Sequence, residues 1–132
     1  MTSTSKRSNR TRQRLRRRDT RRADAKRLDL EHLRRYTLGD HALENELLGL
    51  FRVQARVQLD VISIATLPAD YHLAVHTLKG AALVIGANSI VSITRELERI
   101  GFPDNASRRR ELILGLAEEI SEIEAAIAEI AS

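Results

Sequence analysis

Near the C-terminus, Ile113, Leu116, Ile120, Ile123, Ile127 and Ile130 follow one another at steps of 3, 4, 3, 4 and 3. This spacing marks one face of an α-helix and predicts a helix from about Ser107 to Ala131. A helix with an apolar stripe that long must bury it, and the rest of the chain offers mainly more helix as cover. Only 3% of the 132 residues are aromatic, with no Trp, and the sequence is rich in Leu, Ile, Ala, Glu and Arg. Such material favours helices over strands, whose packing relies on aromatic and β-branched side chains.

The preceding sequence divides at its turn residues. Asp29 is placed to cap a short helix from Leu30 to about Thr37, ended by Leu38-Gly39-Asp40, and Asp40 to cap a long one from His41 to about Ala65. Within the long helix, Leu47, Leu50, Val57, Val61 and Ile64 form a stripe at helical spacing, with Phe51 beside them. Leu67-Pro68-Ala69-Asp70 is a break, and a third helix runs from about Ala69 to Ile85, where Gly86 provides the left-handed C-cap. A fourth starts at Asn88 or Ser89 and runs to about Ile100, with Ile90, Ile93, Leu97 and Ile100 on one face, before Gly101-Phe102-Pro103-Asp104-Asn105 stops it. The expected fold is all-α: an antiparallel four-helix bundle with a short additional N-terminal helix over one end.

Charge separates two regions. Residues 1–27 carry twelve Lys or Arg against Asp19 and Asp24, a net of +10, whereas residues 28–132 carry ten cations and sixteen carboxylates, a net of −6. With Met1 and Leu15 its only strongly apolar residues before Lys26, the first segment reads as a disordered, self-repelling basic tail ahead of a folded domain at 28–132. Binding of nucleic acid or an anionic surface by counterion release is a second reading of the tail. A translation start nearer Leu28 is a third, which needs an initiation codon other than Met, since Met1 is the only Met. No apolar stretch follows the basic residues as a secretory signal requires, and no run approaches the roughly 20 apolar residues of a membrane span. The chain has no cysteine, which excludes disulfides, thiolate metal sites and cysteine catalysis.

The third helix, Tyr71-His72-Leu73-Ala74-Val75-His76-Thr77-Leu78-Lys79-Gly80-Ala81-Ala82-Leu83-Val84-Ile85, holds the unusual chemistry. Its core stripe is Val75, Leu78, Ala82 and Ile85, whereas His72, His76, Lys79, Gly80 and Leu83 gather on another side. Gly80 lowers helix stability by about 1 kcal/mol relative to alanine. Close approach of a partner to the helix surface explains it best. An exposed imidazole, with a reference pKa of roughly 6.5, is largely neutral near pH 7 and available as a nucleophile. Lys79 would place a positive charge beside an anion carried there.

His76-Thr77-Leu78-Lys79-Gly80-Ala81-Ala82, with Gly86-Ala87 and with Leu97-Glu98 in the next helix, resembles the histidine phosphotransfer (HPt) domain family over roughly residues 29–131. The resemblance implies a phosphorelay intermediate in which His76 exchanges a phosphoryl group with aspartates of receiver domains. Lys79 would assist electrostatically and Gly80 would give steric access. His72, Leu83 and Val84 are candidate docking residues; Leu83 and Val84 are larger and more apolar than the family often carries there, and a second reading has an extra element such as the first helix cover them. Partners would be response-regulator receiver domains and a hybrid histidine kinase, with Mg²⁺ on the receiver and no cofactor on this chain. The protein would be a cytoplasmic monomer.

Other readings are weaker. His72 and His76 have the i, i+4 spacing of a zinc pair, but no third ligand or His-Glu-x-x-His pattern accompanies them. No Gly-rich nucleotide loop is present, and Thr77 stands where histidine-kinase dimerisation helices carry an acidic residue. This favours a phosphocarrier without an ATP site over an enzyme. The alternative is a non-catalytic helical docking module with a nucleic-acid-binding tail. Arg108-Arg109-Arg110, Glu96, Glu98 and Arg99 read as solvated helix charges, and His32 and His41 as solvent-facing residues without a special role.

Overall fold

The computed structural model describes residues 28–131, so the basic segment 1–27, and with it the expected disordered tail, lies outside the described residues. The described residues form five helices and no strand: α1 (Leu30–Thr37), α2 (His41–Ile64), α3 (Pro68–Ile85), α4 (Asn88–Ile100) and α5 (Ala106–Ala131). Helices α2 to α5 each pack on the next, and α5 closes on α2, while α1 rests against α2 and α3. With connections this short, the four long helices run up and down as a four-helix bundle.

Capping fixes where each helix starts. The Asp29 carboxylate accepts from the His32 N–H at 3.1 Å, and the Asp40 carboxylate from the Leu43 N–H at 3.1 Å. Leu28 and Leu33, at the two positions of a hydrophobic staple around the Asp29 cap, are both buried in the core. At the α1–α2 corner the buried Thr37 hydroxyl donates to Glu44 Oε1 at 3.2 Å, and His41 Nδ1 lies 3.2 Å from Glu44 Oε2. His41 thus has a local partner that its sequence context did not show. Helix α3 starts with Pro68 at its first position, where the missing N–H is no loss.

Gly86 ends α3 in the left-handed region at φ +76°, and its N–H and that of Ala87 both donate to the Ala82 carbonyl. Its own carbonyl accepts from the Asp29 N–H at 2.9 Å, which ties α1 to the α3–α4 turn.

The core is aliphatic, with Tyr71 the largest fully buried side chain. The stripes expected for α3 and α4 face inward, although Ile93 and Ile100 are only partly buried and Thr94 joins the core. In α5, Leu116, Ile120, Ile123 and Ile127 are buried, Ile113 is half-buried and Ile130 emerges at the end.

Helix α2 departs from expectation. Its buried face is Leu48, Phe51, Ala55, Leu59 and Ile62, while Leu50, Val57 and Ile64 are 57%, 47% and 76% exposed. Leu47 and Val61 lie at the boundary, partly buried against the core. Two apolar sets on this helix share the same spacing, so periodicity cannot choose between them. The rotation of α2 is fixed by its start, where Glu44 is drawn under Thr37, and by burial of the larger Phe51.

Candidate functional site

Val75 and Leu78, both fully buried, hold α3 against the core and so turn His76 outward. The His76 side chain is 76% exposed. Its Nδ1 lies 3.6 Å from Oε1 of Glu98 on α4, and the other oxygen of that carboxylate accepts from Lys79 Nζ at 2.7 Å. Lys79 is only 21% exposed, its stem lying along the protein surface while the charge reaches Glu98. The hydrogen bond from Lys79 holds the Glu98 carboxyl below its usual range, partly opposed by desolvation and reinforced by the Lys79 charge and by His76.

Glu98 is therefore part of the site, not the ordinary surface charge its sequence context suggested. One signal was available: on helices that pack side by side, a carboxylate opposite an i, i+3 His–Lys pair can serve both. Thr77, next to the histidine, donates its hydroxyl to the Leu73 carbonyl at 2.7 Å, which occupies it within its own helix.

Gly80 lies one turn beyond His76 on the exposed face, and a Cβ built there meets nothing within 4 Å. The packing of this chain therefore does not require glycine at that position. Leu73, His76, Gly80 and Leu83, at steps of 3, 4 and 3, are all exposed and form the outward stripe of α3. His72 is exposed beside them, its ring edge-on to Tyr71. Val84 departs from the expected docking set, because it is partly buried against the core.

Leu73 also lines a shallow groove between α2 and α3 with Val61, Ile64 and Ala65. Ile64, at the end of the exposed apolar stripe of α2, thus borders Leu73 on the histidine-bearing helix. Sequence reasoning missed this by assigning Leu50, Val57 and Ile64 to the core.

Arg109 departs from a solvated face as well. Its guanidinium sits 4.5 Å from the Phe102 ring centre and 5.7 Å from that of Tyr71, and it donates to the carbonyls of Gly101, Pro103 and Asp104. It organises the α4–α5 turn at one end of the bundle.

Among the described residues, no group of three or more His, Asp or Glu side chains is placed to hold a metal ion, and no helix is long and apolar enough to cross a membrane. Of the exposed histidines His41, His72 and His76, His76 is the one set beside a lysine–glutamate pair from two adjacent helices. A family model described as the Hpt domain matches residues 46–132, and the chain belongs to the Hpt domain family. Comparison with curated proteins and with solved structures gives no match. Membership implies histidine phosphotransfer in two-component signalling, the role of a phosphocarrier, not of a catalyst.

Proposed function

We propose that His76 is the phosphoryl acceptor and donor of a phosphorelay, exchanging the group with aspartates of receiver domains. The observation that carries this reading is the exposed His76 with Nδ1 turned toward Glu98. A carboxylate favours the tautomer with hydrogen on Nδ1, which leaves the Nε2 lone pair free and facing solvent. Nε2 attacks the phosphorus of an aspartyl phosphate, and the P–O bond breaks with its electron pair leaving on the aspartate oxygen. Transfer onward runs the same bonds in reverse.

Lys79 supplies positive charge beside the phosphoryl group, and Gly80 lets the partner's acidic pocket close on the imidazole. His72, Leu73 and Leu83 on α3, with Leu50, Val57 and Ile64 on α2, form the docking surface. Mg²⁺ belongs to the receiver, which together with a hybrid histidine kinase makes up the partner set. The carrier has no ATP site of its own and works as a cytoplasmic monomer.

The test is phosphoryl transfer from a phosphorylated receiver with Mg²⁺ to the native chain and to His76→Gln. Acid-labile, base-stable label on the native chain and none on the variant is the expected result. A folded native chain that takes no label from any of several receivers would leave a non-catalytic docking module as the better reading.

A further inference from the structure

Lys79 is offered two anions. It already donates to Glu98 at 2.7 Å, and the same carboxylate stands 3.6 Å from the ring that carries the phosphoryl group in the reading above. We propose that Glu98 sets how tightly the phosphoryl group is held, competing with it for Lys79 and so biasing the group off His76 and onto the receiver's aspartate. The inference rests on His76 being the acceptor.

The imidazole that attacks phosphorus does so as the uncharged form, and beside it the Lys79–Glu98 pair is balanced. After Nε2 bonds to phosphorus, the ring gives up its Nδ1 proton to solvent, and the phosphorylated side chain then carries two negative charges on its phosphoryl oxygens. Two anionic groups then share one ammonium. A phosphoryl oxygen draws Lys79 only as far as Glu98 releases it, so the carboxylate charge keeps the ammonium from the new anion. In the reverse step the aspartate oxygen attacks phosphorus, the N–P bond breaks with its electron pair returning to Nε2, and the ring takes a proton back from solvent at Nδ1. Lys79 then settles back on Glu98. The pair is thus restored by donation and disrupted by acceptance, and that difference favours donation.

The experiment reads the equilibrium ratio of phosphohistidine to phosphoaspartate after the full chain is mixed with a phosphorylated receiver and Mg²⁺. Glu98→Gln keeps the size and hydrogen-bonding reach of the side chain and removes its charge. It is expected to raise the ratio about three- to tenfold, the effect of one charge at this distance in a medium between protein and water. Glu98→Asp, which keeps the charge, is expected to stay nearer the native ratio. In a Lys79→Met background the effect of Glu98→Gln should shrink, because nothing remains to compete for.

An unchanged or lowered ratio in a Glu98→Gln protein with a native melting curve overturns the inference. So does an effect of full size in the Lys79→Met background. Failure of the acceptor reading looks different, since the native chain then takes no label and no ratio exists to compare.

Discussion

The Asp29 carbonyl oxygen would lie 2.8 Å from a Cβ placed on Gly86. That approach, together with the left-handed φ of +76° and the Asp29 N–H bond to the Gly86 carbonyl, makes this glycine a structural joint between α1 and the α3–α4 turn. Gly86→Ala is expected to destabilise the fold by about 1–3 kcal/mol through backbone strain and the clash. Chemical denaturation measures it, and a neutral change would show that α1 docks by other means.

Gly80 should behave in the opposite way. A methyl group there meets open space within a helix, so Gly80→Ala is expected to stabilise the fold by about 0.5–1 kcal/mol. Gly80→Glu should leave the melting temperature near native yet cut the rate of phosphoryl transfer by at least about tenfold, because it fills the approach to His76 with bulk and negative charge. Melting curves alongside transfer kinetics separate the two effects.

The two faces of α2 give a paired test. Phe51→Ala removes a buried ring and is expected to cost about 3–5 kcal/mol of stability. Val57→Asp, on the exposed stripe, should change stability by less than about 1 kcal/mol while weakening receiver binding roughly tenfold. Titration calorimetry with a receiver domain checks the second. Equal binding by the variant would remove α2 from the docking surface.

Arg109 joins three loop carbonyls to two aromatic rings. Arg109→Ala is expected to lower stability by about 1–3 kcal/mol with little effect on transfer to His76. Arg108→Ala, which removes an exposed pair with the neighbouring Glu111, should be nearly silent in both measurements.

The Glu98 carboxyl titrates below its ordinary value of 4.5 in the folded chain. Its contribution to stability is therefore fully present above that ordinary value and is lost as pH falls through the lowered one. The stability difference between the native chain and Glu98→Gln should narrow from pH 6 toward pH 3. A difference that stayed constant across that range would mean that the carboxyl gains nothing from folding.

The helices were legible because their boundaries are set by local chemistry: Asp29 and Asp40 bond to the N–H groups three residues on, and Gly86 takes a conformation other residues resist. His76 and Gly80 were legible for a related reason, as both sit where a helix built for stability alone would place something else. The orientation of α2 was not, because Leu50 and Phe51 are adjacent in sequence and both apolar, and the choice between them falls to the α1–α2 corner together with burial of the larger ring. Glu98 and Arg109 read as solvated charges in the sequence because charged residues take their meaning from what lies across a helix pair or a turn, and that placement is tertiary.

The surroundings of His76 are lopsided. On the α4 side stand the carboxylate and ammonium of Glu98 and Lys79, and on the α2 side lie Leu73 and the groove it shares with Val61 and Ile64. In the phosphorelay proposed above, an incoming acidic pocket would meet a wall of charge from one direction and a greasy ramp past bare backbone from the other. The imidazole would thus have a front door, with the fold setting the bearing along which a partner arrives before any bond is exchanged.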